Sequence, residues 1–203
     1  MRYPKERVTG AIFFVAVTQF ILCLMIAEAL YPDYSLSGNY VSDLGVGPSS
    51  IVFNLSVFLL GLLLVIGTYF LRHISDLKTI NRLLFLMAVG AMGVGVFTKD
   101  LTFVHAAVAS TAFLFSGLSA VASSRVLKKP LSIISIVLGA VTIVALAFFS
   151  GGLVASGSFT STIAYDSSFY LGLGPGGMER MIIYPSLMWL AMFSGHLATR
   201  REE

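Results

Sequence analysis

Six long apolar segments, separated by short polar stretches, run along the chain between residues 9 and 198. Each is about 20 residues long, which is the length that a helix needs to cross the roughly 30 Å hydrocarbon core of a bilayer. None shows the alternation of a barrel strand, and backbone groups cannot stay unpaired in lipid, so we expect helices. The predicted spans are about 9–31, 51–71, 80–98, 102–123, 131–151 and 180–198.

The composition strengthens this prediction. Of the 203 residues, 57% are hydrophobic and only 11% are charged, whereas soluble domains carry about 25% charged residues. With a mean hydropathy of +0.90, the chain has too little polar surface to cover a globule in water. We therefore predict an all-α integral membrane protein in which residues 1–203 form a single six-helix domain. Cys23 is the one cysteine, so neither an intramolecular disulfide nor a cysteine-rich metal site is expected.

The basic residues predict the orientation of this multi-pass protein in the cell membrane. The first apolar run is longer than a signal-peptide core of about 7–15 residues, so we interpret it as a retained span. Only Lys99 and Arg180 fall on one side of the predicted membrane. By the positive-inside rule, the N- and C-termini are then cytoplasmic. The basic residues on the predicted cytoplasmic side are Arg2, Lys5, Arg7, Arg72, Lys78, Arg82, Arg125, Lys128, Lys129, Arg200 and Arg201.

Small residues and loop lengths add detail to the arrangement of the spans. Gly90 and Gly93 in the third span, with Ala106 and Ala109 in the fourth, allow close approach of two helices. Because the loop between these spans is very short, we predict an antiparallel hairpin. The longest external segment, 152–178, either lies on the membrane surface or folds over the bundle as a lid. Its glycines have a GxGxxG spacing, but no predicted strand precedes them, so a nucleotide site is rejected.

The predicted external face carries a mixed set of polar and ionisable residues at or inside helix ends. Ionisable groups at membrane depth are costly, and by default they suggest a functional site. We take Asp43 and His105 as candidate catalytic residues. The candidate ligand-binding residues are Asn39, Ser42, Asp43, Asn54, Lys99, His105, Glu179 and Arg180.

Several of these residues have two interpretations. Glu28 either snorkels to water from the end of the first span or pairs with Lys99 or Arg180. Glu179 and Arg180 form a surface ion pair that contributes little, or the guanidinium faces an anionic head group. All of these interpretations place the charged groups in one layer on the predicted external face.

The remaining polar positions also leave alternatives open. For Asn54 we favour an interhelical hydrogen bond, whose partner could lie in the loop 37–45. Asp100 is predicted to cap the fourth helix. His105 is a general base, a metal ligand or a packed polar group, and Asp43 either points towards it or caps the following helix.

Three blocks carry a family resemblance: SLSGNYVSDLGVGPSSIVFN, GVFTKDLTFVHAAVASTAFLF and GGMERMIIYPSLMWLAMFSG. They resemble the archaeal and bacterial membrane-protein family catalogued as domain of unknown function 998. That family is distantly similar to eukaryotic six-span proteins of the FRAG/DRAM/Sfk type, some of them linked to lipid handling. The chain departs from the expected pattern at Thr98–Lys99, where a proline-containing turn is expected. The resemblance implies six spans and the external polar cluster, and it implies no reaction.

Three functions fit these observations. The first is an external polar pocket that binds a membrane lipid head group or a small polar ligand, for which the charge mix favours a zwitterionic or anionic group. The second is an intramembrane lipid hydrolase with His105 as general base, oriented by Asp43. The third is a purely structural protein. His73 and His196 lie on the opposite side from His105, which excludes a three-histidine metal site and leaves only a calcium or magnesium contact open. We assign no metal-binding residues, and we expect neither a cofactor nor a nucleic-acid partner.

Overall fold

The computed structural model describes residues 5–155 and 168–200, and these ranges are all-helical. Six helices are long and apolar enough to cross a membrane, which confirms the predicted six-span fold. Three short 3-10 helices lie between or before them in these described ranges, and the one at Val41–Gly45 is called the loop helix below. The long helices are α1 (Lys5–Leu30), α2 (Ser50–Leu71), α3 (Lys78–Val96), α4 (Thr102–Ser123), α5 (Leu131–Ala155) and α6 (Gly174–Thr199).

The surface of the bundle is apolar where lipid would surround it. Ile51, Phe103 and Met188 are 80%, 74% and 61% exposed, and each lies on a predicted span. Contiguous apolar surface of this kind is rare on soluble monomers. The interior holds Phe13, Trp189 and other fully buried apolar side chains. The protein is therefore a multi-pass membrane protein.

The helices form a closed ring in chain order. Each packs against its sequence neighbours, α1 packs against α6, and α4 contacts α6 across the interior. At Gly90 a Cβ would come within 2.5 Å of the backbone nitrogen of Ala112, so the predicted close hairpin of the third and fourth spans is confirmed. At Gly10 a Cβ would lie 2.6 Å from the nitrogen of Ala198, so glycine also allows the ring to close.

The start of α6 differs from the sequence prediction. The helix begins at Gly174 rather than near residue 180, and Pro175 occupies its first turn. Proline is favoured there because its missing N–H has no helical partner and its φ is already helical. Gly174 has a φ of +73°, a value that glycine adopts without strain. A stretch that resembles a turn in sequence is thus a helix start.

The opposite ends of the bundle differ in their polar contacts. We call the polar end the one where α1, α3 and α5 end and α2, α4 and α6 begin. The described part of segment 152–178 reaches this end: Tyr170 is 1% exposed, and its hydroxyl lies 3.3 Å from that of Tyr40. Residues 156–167, on which the lid prediction mainly depends, lie outside the described residues.

Candidate functional site

Arg180 is the centre of a hydrogen-bond network at the polar end. The residue lies in the first turns of α6, and only 6% of it is exposed. Nη2 donates to Glu28 Oε1 at 2.6 Å and to the Tyr34 hydroxyl at 2.9 Å. Nη1 donates to the carbonyl oxygens of Leu36 at 2.7 Å and Gly176 at 3.1 Å. Arg180 therefore joins α1, the α1–α2 loop and α6, and its predicted pairing with Glu28 is the alternative that the structure shows.

Tyr34 extends this hydrogen-bond network to the loop helix. Its hydroxyl accepts from Arg180 and donates to the Tyr40 carbonyl oxygen at 3.0 Å. Burial raises the pKa of Tyr34 from 10.0 to about 12, so the phenol keeps its proton at physiological pH. A protonated hydroxyl can fill both roles at once. Tyr34 was not among the candidate residues of the sequence analysis, so this role was missed.

Asp43 stabilises the loop helix instead of orienting His105. Its Oδ2 accepts the backbone N–H of Tyr40 at 2.9 Å, which closes the first turn of that helix. Its Oδ1 forms an ion pair with Lys99 in the α3–α4 turn. The Lys99 ammonium also lies 4.3 Å from the centre of the Tyr40 ring, within cation–π range. Asp43 thus ties the α1–α2 loop to the α3–α4 turn.

His105 is oriented by a backbone carbonyl. Its Nδ1 lies 2.7 Å from the Phe97 oxygen, and a carbonyl can only accept, so Nδ1 carries the proton. In the neutral ring, Nε2 is then an acceptor. No hydrogen bond joins Asp43 to His105 in residues 5–155 and 168–200. These contacts therefore do not form the arrangement expected for a hydrolase, in which Asp43 orients His105.

Two of the polar residues, Asn54 and Asn39, make hydrogen bonds that hold the loops, whereas Asp100 does not have its predicted role. Asn54 donates from Nδ2 to the Gly45 carbonyl at 2.9 Å, and Gly45 lies in the loop where its partner was predicted. Asn39 accepts the backbone N–H of Ser35 at 2.9 Å. The cap predicted for α4 was wrong: the N-cap residue is Leu101, with no side-chain hydrogen bond. A turn closed by the Leu101 N–H and the Thr98 carbonyl oxygen leaves Asp100 outside the helix.

Glu179 and Arg180 do not form the surface ion pair that was one of their two interpretations. Both are 6% exposed, and adjacent residues on a helix point about 100° apart. Glu179 Oε2 instead accepts the backbone N–H of Val41 at 2.6 Å. In the part of the chain that the structure describes, Glu179 Oε1 has no hydrogen-bond partner. This buried carboxylate is therefore only partly satisfied.

Glu179 lines a cavity of about 70 Å³ inside the polar end. The cavity extends along α6 from Glu179 to Leu187, a rise of about 12 Å. Its walls come from the loop helix and from every long helix except α5. They consist of Phe20, Val41, Ser42, Phe53, Val57, Leu60, Met87, Ala91, Val94, His105, Ala109, Ala112, Phe113, Ser116, Glu179, Ile183, Ser186 and Leu187.

The cavity is apolar apart from a few side chains. Ser42 and His105 are half-buried and lie where it approaches the surface. Ser186 is satisfied, because its hydroxyl donates to the Ile182 carbonyl at 2.9 Å. Ser116 is 2% exposed, and its hydroxyl has no hydrogen-bond partner. Buried polar atoms are normally hydrogen-bonded, so the unpaired Ser116 hydroxyl needs an explanation.

The predicted site residues therefore divide into two groups. Ser42, His105 and Glu179 line the cavity. Asn39, Asp43, Asn54, Lys99 and Arg180 instead hold the loops to the helix ends. Ser116 was missed, because a serine among small residues in a span is usually interpreted as a packing residue. No cluster of three or more metal-ligating side chains occurs among the described residues.

Comparison with known proteins identifies the family. The sequence matches the family model described as "Protein of unknown function (DUF998)" over residues 14–196. The chain belongs to this family. The match covers all six helices in whole or in part. No curated protein matches the chain, and no solved structure matches it.

Proposed function

We propose that this DUF998 protein binds a small amphipathic molecule, or the polar end of a membrane lipid, in the cavity beside Glu179. The observation that carries the proposal is an otherwise apolar cavity lined by two incompletely satisfied polar groups. The buried Ser116 hydroxyl has no hydrogen-bond partner, and the Glu179 carboxylate accepts one hydrogen bond, at Oε2, from the described residues. An amphipathic ligand matches this pattern, because its polar group would lie near Glu179 and its apolar part against the walls.

The size of the cavity limits the ligand. At about 70 Å³ it is smaller than typical ligand pockets of roughly 300–1,000 Å³. A short apolar chain, or the end of a longer one that continues towards the half-buried Ser42 and His105, suits it best. Larger groups require movement of the side chains that line the cavity.

We also propose that the polar end faces the cell exterior. The basic residues at the opposite end of the bundle support this orientation through the positive-inside rule. Both termini would then be cytoplasmic. A reporter active only in the cytoplasm, fused after residue 203, should be active, and an inactive but stably inserted fusion would overturn the orientation.

Thermal unfolding with n-hexanol tests the binding proposal. We expect n-hexanol to stabilise the wild-type protein relative to Ala112→Leu, because the added side chain fills the cavity. Ala107→Leu is the matched control, since Ala107 lies on the exposed face of the same helix. It should respond as the wild type does. Identical responses of all three proteins would contradict binding in the cavity.

Among the described residues no contact favours the lipid-hydrolase alternative, because Asp43 and His105 are engaged with different partners. The loop contacts of Arg180 and Asp43 do match the structural alternative. They do not explain the cavity, to which neither of those two side chains contributes.

A further inference from the structure

We propose that the ligand of this cavity carries an ammonium group, which Glu179 binds. This inference rests on the proposed function and adds the chemical class of the polar group. It follows from a charge balance at the polar end, from the burial of Glu179 and from the side chains around it.

The two cations at the polar end are already paired. Arg180 binds Glu28 at 2.6 Å, and their side chains are 8% and 19% exposed. Lys99 binds Asp43, and their side chains are 32% and 14% exposed. These two pairs leave Glu179 as the buried carboxylate at the polar end that has no ion-pair partner in the described residues.

A second anion in this place would be unfavourable. Glu179 lines the cavity, and like charges within a few ångströms repel strongly in a medium of low dielectric constant. The Arg180 side chain does not line the cavity. Its two terminal nitrogens are fully engaged, and its buried Nε, which has no hydrogen-bond partner among the described residues, belongs to a side chain outside the cavity wall. Of the two classes that the sequence favoured, zwitterionic and anionic, this geometry therefore disfavours the anionic one.

An ammonium group supplies what Glu179 lacks. A buried carboxylate needs hydrogen-bond donors or a counter-charge, and Glu179 has one donor, the Val41 N–H. The lone pairs of Oε1 can accept from an ammonium, which has only donors. The His105 ring, with Nδ1 bound to Phe97, offers Nε2 as a neutral second acceptor at the same cavity. The cavity thus offers two acceptors, Oε1 and Nε2, and, among the described residues, no cation of the polar end that is free to pair with them. This combination favours a ligand with a cationic donor group.

The test compares three probes that share one apolar chain: n-hexylamine, n-hexanol and hexanoate. Dissociation constants come from thermal unfolding of the full-length protein in detergent, with Ala112→Leu subtracted to remove partition into the micelle. For the wild type we expect n-hexylamine to bind about tenfold more tightly than n-hexanol, as a charge-assisted hydrogen bond implies. Hexanoate should bind most weakly.

The variant Glu179→Gln keeps an acceptor for the Val41 N–H and removes the charge. We expect it to lose the preference for n-hexylamine while n-hexanol still binds. If Glu179→Gln fails to fold, the ranking of the three probes on the wild type decides by itself. Equal binding of the amine and hexanoate would overturn the ammonium inference alone. No binding that depends on the cavity, for any probe, would overturn the proposed function as well.

The ammonium group could belong to an aminophospholipid or to a free amine, and nanodiscs separate the two sources. If phosphatidylethanolamine occupies the site, adding it to phosphatidylcholine discs should stabilise the wild type and weaken n-hexylamine binding. If the source is a free amine, n-hexylamine should bind equally in both discs.

Discussion

Replacing Arg180 by alanine should destabilise the protein by about 3–5 kcal/mol, the usual cost of removing one partner of a buried ion pair. The substitution removes four hydrogen bonds, to Glu28, Tyr34, Leu36 and Gly176. It leaves the Glu28 carboxylate, only 19% exposed, without its cation. Arg180→Lys keeps the charge but loses the planar fork, so we expect an intermediate cost of about 1–3 kcal/mol.

A second arginine pair gives a matched control in the same molecule. Arg200 binds Asp76 at the opposite end, where the side chains are 27% and 46% exposed. Exposed pairs contribute about 0–1 kcal/mol. Arg200→Ala should therefore cost less than 1 kcal/mol by that principle, although it deletes the same chemical group.

Equilibrium unfolding by sodium dodecyl sulfate in mixed micelles, followed by circular dichroism, measures both costs. A double-mutant cycle with Glu28→Gln isolates the pair, and we expect a coupling of about 1–3 kcal/mol between Arg180 and Glu28. If Arg180→Ala costs no more than Arg200→Ala, or if the coupling is near zero, the burial argument for the network is wrong.

Three further predictions concern other parts of the fold. Burial raises the Tyr34 pKa from 10.0 to about 12, so the contribution of Tyr34 to stability is complete below pH 10 and is lost as pH rises through 12. Tyr34→Phe should therefore flatten the profile of stability against pH between these values. An unchanged profile would refute the assignment. Gly176→Ala should lower the unfolding midpoint sharply, because its Cβ would overlap carbonyl oxygens of the α1–α2 loop. Gly195→Ala should be neutral or stabilising, because a Cβ at Gly195 has no neighbouring atom within 4 Å. Equal effects of the two variants would contradict the close contact at Gly176. Trp189→Phe removes the 2.9 Å hydrogen bond to Ser123 and should cost about 1 kcal/mol in the same unfolding assay, so a stabilised variant would refute a role for that bond.

The six spans could be predicted because the bilayer restricts the chain so strongly. Lipid requires long apolar helices, and the sequence has six segments of that kind. Helix ends were less predictable, since GPGG before Glu179 looks like a turn and is the start of α6. There, the fit of the helix against the α1–α2 loop decides the boundary, through the hydrogen bond from the Gly176 N–H to the Ser37 carbonyl oxygen at 2.9 Å.

The layer of polar residues could be predicted, but their partners could not. Asp43, Glu28 and Glu179 all lie at one end with Lys99 and Arg180, and the sequence does not say which carboxylate meets which cation. One error was avoidable: neighbours such as Glu179 and Arg180 cannot share a helix face. The unpaired Ser116 hydroxyl became visible only with the cavity around it.

The measurement that tests the central claim most directly is photo-crosslinking with an alkylamine that carries a diazirine on its apolar chain. After illumination of the wild-type protein in nanodiscs, peptide mass spectrometry locates the labelled residues. The account predicts labels on cavity-lining residues such as Met87, Ala91 and Ile183, which n-hexylamine suppresses and Glu179→Gln reduces. Labels confined to the lipid-facing surface, and unaffected by n-hexylamine, would contradict it.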